Sequence, residues 1–262
     1  MRADLVKKIG RAELCEELRR EYVRIIEAHR VPYAENIKAL SDWLVYAYYG
    51  RLIAEFVPEK KARIIDWGGL YGQVTGILRG LGYQNVFNYL LHETPHYPLF
   101  REAFNLPTLW GQDPNHLELE DGSIEVFISS GVLEHVREDG IGDVQLILRE
   151  IHRVLKVGGL FFIWNLPARW GSSELLARVF NKWRHAHCFR QKEIRNLLRG
   201  AGFQILYWDK HKFLPGSVME WLGKRIDPVR LLQGDDYLSH WFPFNLLARD
   251  YAVIAEKKDK RD

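Results

Sequence analysis

The residues of this chain best placed to do chemistry lie in one short run, Ile64-Ile65-Asp66-Trp67-Gly68-Gly69-Leu70-Tyr71-Gly72. An apolar strand runs there into a glycine turn that opens a helix. Glycine lacks the Cβ that would hold a ligand away, so such a turn brings backbone N–H groups and a helix N-terminus against a bound small molecule. The chemistry implied is the holding of a nucleotide-type cofactor. The spacing Gly68-x-x-x-Gly72 is neither a complete G-x-G-x-x-G nor a phosphate loop with Gly-Lys-Ser/Thr, so its meaning rests on residues further along the chain.

Several later residues carry their own chemistry. Asp66 either faces a cofactor or caps the glycine turn through backbone N–H groups. Asp113, before Pro114, reads as a ligand or as a turn residue. Glu93 is a loop carboxylate, open to water or to a ligand. His135 has an imidazole whose ordinary pKa of about 6.5 suits a base that takes a hydroxyl proton at neutral pH; in the first turn of a helix it would equally serve structure. After the fifth strand, Trp164 to Trp170 and Trp183-Arg184-His185-Ala186-His187 place aromatics, arginines and histidines in loops. His185 and His187 at i and i+2 share a face only on a strand, and no third ligand is evident, so zinc is not expected. With Trp170 they are candidates for contact with substrate.

The elements that must position these residues alternate. Residues Ala3 to Ala28 and Tyr33 to Phe56 read as an N-terminal helical extension, with Leu40, Trp43, Leu44 and Ala47 at helical spacing. Strands are expected at Arg63 to Trp67, Val86 to Leu91, Leu109-Trp110, Glu125 to Ser129 and Leu160 to Asn165, with helices between them. Strands that alternate with helices predict a parallel sheet covered on both faces, its ligands beyond the carboxyl ends of the strands. A helix at Gln191 to Arg199 and strands at Phe203 to Trp208 and Tyr251 to Ala255 complete the pattern. Between those strands lies an aromatic segment, Gly216 to Asn245, read as a cap over the site, a dimer interface or a surface that touches lipid. The cap is preferred, because the segment lacks a Lys/Arg-rich polar face.

Composition bounds the rest. The chain has 262 residues, 47% hydrophobic and 27% charged, which fits a globular protein and excludes global disorder or a bundle of membrane helices. Its net charge of +3, with a tail at Glu256 to Asp262 that mixes both signs, gives no nucleic-acid footprint. Cys15 and Cys188 have no C-x-x-C or Cys/His metal spacing, which predicts reduced thiols and a cytoplasmic protein. The start of the chain is charged and lacks an apolar signal core, so secretion is not expected.

Four blocks in order resemble a class I S-adenosylmethionine-dependent methyltransferase of the type-11 methyltransferase-domain pattern. Ile64 to Gly72 resembles the family's strand followed by D-x-G-x-G-x-G. Asp113 with Leu117 to Phe127 resembles the acid and the D-G-S-F-D-V step. Ser129-Ser130-Gly131-Val132-Leu133-Glu134-His135-Val136 is similar to the strand-four signature ending in L-E-H, and Leu148 to Gly159 to L-x-E-x-x-R-V-L-K-P-G-G. The resemblance runs from about Ala62 to Ala255.

It implies a Rossmann-like, seven-stranded, mostly parallel α/β sheet with helices on both faces and its last strand antiparallel. N-terminal helices would occupy 1–57, and a methyltransferase domain 58–262, with a cap-like insertion at 216–246. It implies S-adenosylmethionine as cofactor, with Asp66, Gly68, Gly69 and Gly72 toward the amino-acid half. Asp113 would reach the adenine amine, and Ser130 and Gly131 would lie near the methionine moiety. Leu70 stands where the family has its middle glycine, and Leu90 where it has an acid for the ribose hydroxyls; Glu93 is the nearest acid to replace the latter. Some O-methyltransferases with a similar step hold a metal through Glu-x-x-Glu-His, but Gly131 occupies the first position, so no metal is expected. The implied activity is methyl transfer, to oxygen of a small or lipid-linked molecule. The alternative is a catalytically silent subunit that keeps the fold and binds a partner. Peripheral membrane contact and a homodimer are compatible with the aromatic segment.

Overall fold

The computed structural model describes residues 12–32, 35–38, 40–138, 140–180, 185, 187–223 and 225–259. The start of the helix expected from Ala3, residues Trp183, Arg184 and Ala186 of the late loop, and the last three residues of the charged tail lie outside the described residues.

Seven strands form one sheet: β1 Arg63–Trp67, β2 Asn85–Leu90, β3 Thr108–Trp110, β4 Ile124–Ser130, β5 Leu155–Pro167, β6 Phe203–His211 and β7 Asp250–Lys257. Their order is β3-β2-β1-β4-β5-β7-β6. The first five pair in parallel, and β7 runs antiparallel to both β5 and β6. Strand order reverses between β1 and β4, and the crevice beyond their carboxyl ends is where such sheets bind ligands.

The central strands are apolar along nearly their whole length, because helices cover both faces. On one face, Ile65, Phe127, Phe161 and Val253 pack against α6 Val144–Val154 and α8 Gln191–Gly200. On the other, Ile64, Val126, Phe162 and Trp164 pack against α3 Leu40–Phe56 and α4 Gln73–Gly80. The remaining helices are α1 Ala12–His29, α2 Glu35–Lys38, α5 Tyr97–Ala103, α7 Ser172–Val179, α9 Gly216–Gly223 and α10 Pro228–His240. From α1, the buried Tyr22 stacks on Phe104 at 4.2 Å and donates to the Tyr71 carbonyl at 2.9 Å, which ties the N-terminal helices to the glycine turn. Met219, Leu231 and Leu232 of the insertion pack on Leu44, so α9 and α10 dock on α3.

Two details differ from the sequence reading, the setting of His135 and the length of β5. His135 lies in a turn rather than in a helix. Helix α6 starts where the sequence places it, at about Asp143, whose carboxylate accepts from the N–H groups of Gln145 at 2.6 Å and Leu146 at 3.1 Å, a side-chain cap that fixes its start. Strand β5 extends past both expected ends, and α7 lies between the two stretches expected as loops after it. No helix among the described residues is long and apolar enough to cross a membrane.

Candidate functional site

A cavity of about 590 Å³ opens at the carboxyl ends of β1, β4 and β5. One wall is made by Asp66, Gly68, Gly69, Leu70, Ser130 and Gly131. The facing wall comes from α3, the insertion and the β6–β7 end of the sheet, and includes Asp42, Tyr46, Met219, Lys212, Arg249 and Asp250.

The glycine turn has the backbone the sequence asks for. Gly68 has φ +64°, and a Cβ there would come within 2.8 Å of Val132. A Cβ on Gly69 would lie 2.5 Å from Asp66 Oδ2 and 2.6 Å from Asn88 Oδ1. Leu70 has φ +42°, the left-handed region that favours glycine, although it carries a side chain, which is exposed. The turn therefore keeps its glycine shape where the residue is no longer glycine. Gly72, at φ +77°, is different: it is the N-cap of α4, packs against Leu106, and is not part of the cavity wall.

Asp66 is fully buried. Its Oδ2 accepts from the Thr75 N–H at 3.1 Å and from the Thr75 hydroxyl at 2.9 Å. Burial pushes its carboxyl up to about 6, against the lowering by the Thr75 bonds. Asp66 Oδ1 and Asn88 Oδ1 have no hydrogen-bond partner among the described residues. Two orphaned acceptors beside one glycine suit a ligand rich in donors, such as an ammonium or a ribose hydroxyl. Asn88, inside the buried strand β2, went unnoticed in the sequence; a polar side chain amid an apolar run was its one signal.

The other expected cofactor residues divide. Ser130 and Gly131 (φ +67°) lie on the cavity wall, with Ser130 Oγ accepting from Asn165 Nδ2 at 2.9 Å. Glu93 instead is exposed and pairs with Arg101 at 3.1 Å, outside the wall. Asp113 is also exposed and outside it; its Oδ1 accepts from the Asn115 N–H at 2.7 Å, closing a turn. Both carboxylates thus have local partners of their own.

His135 and His185 also line the cavity, their ring centroids 6.0 Å apart. His135 Nδ1 lies 2.8 Å from Glu138, and His185 Nδ1 lies 2.6 Å from Glu174. His187 stands 3.4 Å from Glu193, edge-on to Phe189, in a separate recess of about 410 Å³ that His185 also lines. Burial lowers the His187 imidazole pKa. Trp170 is on neither wall; it is exposed beneath the Arg178 guanidinium.

Sequence reasoning read Glu134 only as part of the L-E-H step, and it missed a polar network altogether. Glu134 is 3% exposed, and burial raises its carboxyl to about 8. Asn165 Oδ1 accepts from Lys212 Nζ at 2.6 Å and from the Tyr49 hydroxyl at 3.2 Å, while Lys212 stands 3.3 Å from Asp250. Burial raises the Asp250 carboxyl pKa, but the charges of Lys212 and Arg249 outweigh it and the net direction is down. These residues come from four separate elements, and no spacing in the chain announces them.

The family model described as Methyltransferase domain matches residues 65–163. Among solved structures, a Galdieria sulphuraria protein provisionally named a sarcosine dimethylglycine methyltransferase is 16% identical, with 84% of this chain and 89% of that one covered and a TM-score of 0.61. A SAM-dependent methyltransferase of Thermotoga maritima, a possible histamine N-methyltransferase, is 17% identical, with 94% and 99% covered and a TM-score of 0.55. The cyclase SpnF is 18% identical, with 82% and 83% covered and a TM-score of 0.57. No curated protein matches the chain in sequence. The domain's cofactor is S-adenosylmethionine, and the orphaned acceptors beside Gly69 fit its donors. Residues 65–163 thus match a methyltransferase domain, and the sheet built around them has the fold of class I S-adenosylmethionine-dependent methyltransferases.

Proposed function

We propose that the protein transfers a methyl group from S-adenosylmethionine to a hydroxyl oxygen of a small or lipid-linked acceptor. The observation that carries this reading is the two-walled cavity: a glycine-lined wall that includes Asp66, whose Oδ1 is without a partner among the described residues, faces a second wall of mixed apolar and polar groups. The first wall suits the cofactor, and the second is shaped by elements outside the matched segment, where acceptor choice is made.

The cofactor supplies a methyl group on a sulfonium, which leaves as a neutral sulfide. Asp66 would hold the ammonium of its amino-acid half, and Gly68, Gly69, Ser130 and Gly131 would let the backbone approach it. Glu93 and Asp113 have no part in this arrangement. The chemistry would be an in-line displacement at an already activated methyl group, so these residues would contribute chiefly positioning. His135, its Nδ1 held by Glu138, would take the hydroxyl proton on Nε2. His185 would contact the acceptor at the same end. The insertion and the N-terminal helices would form a cap that keeps water out, with Ile37, Val45, Met219 and Leu232 as its apolar lining.

Leu70 favours a second reading, a fold kept for binding rather than for transfer, because its side chain sits at the cavity wall where the family has glycine. That SpnF, a cyclase, has the same fold shows that the fold does not fix the reaction. Thermal unfolding with S-adenosylmethionine, S-adenosylhomocysteine and NAD separates the two. At about 100 times its dissociation constant a ligand adds about 2.7 kcal/mol, a rise of several degrees. A rise with both sulfur ligands and none with NAD is expected; no rise at millimolar ligand would favour the silent reading. Transfer of radiolabelled methyl to a hydroxylated acceptor is the second step.

A further inference from the structure

Glu134 and His135 are neighbours in the chain, and the fold brings them a third group from fifty residues further on. The ligand atoms of Glu134, His135 and His185 all lie within 4.8 Å of one another, and all three residues line the cavity. Ligand atoms around one ion, with bonds of about 2.1 Å, stand about 3 to 3.5 Å apart. The set therefore has to close by little more than an ångström. His135 and His185, with side chains 41% and 29% exposed, have room to do so.

Two further observations point to a cation. Glu134 is buried, yet its Oε2 has no hydrogen-bond partner among the described residues, and its Oε1 is 4.0 Å from His135 Nε2, too far for a hydrogen bond. A buried polar atom in a native protein is nearly always paired, and nothing among the described residues pairs this one. Each histidine also has a carboxylate on its other side: Glu138 lies 2.8 Å from His135 Nδ1, and Glu174 lies 2.6 Å from His185 Nδ1. A carboxylate behind the ring fixes tautomer and orientation in metal-binding histidines, and it makes Nε2 the lone-pair nitrogen. Glu174, His185 and Cys188 form a second close set, but it shares His185 and would break the Glu174–His185 pair.

We propose that Glu134, His135 and His185 form a divalent transition-metal site in the cavity wall beside Gly131. Two imidazoles and one carboxylate suit Zn²⁺, Fe²⁺ or Co²⁺ and leave coordination positions open. Those positions are reached from the cavity, so an oxygen donor such as an acceptor hydroxyl is the ligand that completes the site. This last clause rests on the methyl-transfer reading, and in it His135 acts on the acceptor through the ion instead of taking its proton.

The test uses untagged, chelator-stripped full-length protein titrated with Co²⁺ and read by visible d–d absorption. A saturable band at one ion per chain is expected. His185→Asn and Glu134→Gln should each weaken binding at least tenfold, Glu174→Gln by about 10- to 100-fold, and His187→Asn should leave it unchanged. The S-adenosylhomocysteine thermal shift, taken on every variant, shows that each is folded. No saturable band up to millimolar Co²⁺, or a band indifferent to His185→Asn and Glu134→Gln, overturns the site. If the thermal shift persists in that case, the cofactor reading stands and the metal alone fails. If Co²⁺ binds and no sulfur ligand shifts unfolding, the site stands and methyl transfer fails.

Discussion

Asn165 Nδ2 donates to Ser130 Oγ at 2.9 Å, while the same side chain accepts through Oδ1 from Lys212 at 2.6 Å. One amide thus ties the end of β4 at the cofactor wall to the end of β6 at the facing wall. Asn165 holds this post with φ +54°, a strain it tolerates better than most residues. Asn165→Ala should lower stability by about 2 kcal/mol, since it removes several part-buried bonds, one of them to a charged donor. Asn165→Asp keeps the acceptor for Lys212 and loses the donor to Ser130. It should retain most of the stability and still weaken S-adenosylhomocysteine binding. Paired thermal unfolding and calorimetric titration check the split; a parallel loss in both variants would show that Ser130 needs no positioning.

Gly69 and Leu70 make opposite predictions from one turn. A methyl at Gly69 would enter the space between Asp66 and Asn88, so Gly69→Ala is expected to cut S-adenosylhomocysteine affinity at least tenfold. Leu70→Gly relieves a left-handed leucine, a gain of about 1 to 2 kcal/mol that is partly offset by the roughly 0.5 to 1 kcal/mol entropy cost of glycine. Net stability should change little, while removal of the side chain from the cavity wall should tighten cofactor binding. A Leu70→Gly variant that binds no better would mean that the side chain already lies clear of the cofactor.

The contrast between these residues and the loop acids shows what a sequence can carry. The β1 run and its glycines are local: apolar types, then a positive-φ turn, all within nine residues, so their geometry comes from their order. Glu93 and Asp113 are local as well, but a loop carboxylate looks the same whether it binds a ligand or closes an ion pair or turn, and here each has a neighbour as partner. Asn165, Lys212 and Asp250 meet only because β5, β7 and the chain leaving β6 come together in one sheet, and Asn88 stands beside Gly69 only because β2 pairs with β1. That adjacency is a property of the sheet, as is the arrival of His185 beside Glu134.

His240 fastens the insertion to the sheet. Its Nε2 lies 2.8 Å from Asp209 of β6, and the Asp209 hydrogen bond lifts its pKa to about 9, against the lowering by burial. A base whose folded pKa is raised contributes stability that is fully present below its unfolded pKa of about 6.5 and is lost as pH climbs toward 9. With the side chain about a fifth exposed, the contribution is discounted from the shift to about 2 kcal/mol. Wild-type unfolding temperature should fall by several degrees more than that of Asp209→Asn between pH 6.5 and 9. Equal slopes would mean that the pair does not hold the insertion.

Asp66 links cofactor binding to protons with the opposite window. Burial lifts its carboxyl from about 3.8 in the unfolded chain to about 6, so between those values the folded protein keeps a proton that the unfolded chain has lost. Stability of the free protein therefore falls as pH rises through that window and is level above it. A ligand ammonium reverses the preference, because it binds the ionised carboxylate. S-adenosylhomocysteine affinity should be level above about pH 7 and drop toward tenfold per pH unit well below 6. Asp66→Asn should remove that slope, weaken binding at every pH, and raise the unfolding temperature of the free protein at pH 7, since the neutral amide avoids the buried charge while still accepting from Thr75. Calorimetric titration from pH 5 to 8 reads the slope directly. A wild-type affinity that ignores pH, or an Asp66→Asn protein that binds as well as wild type, would show that the ammonium is held elsewhere in the cavity.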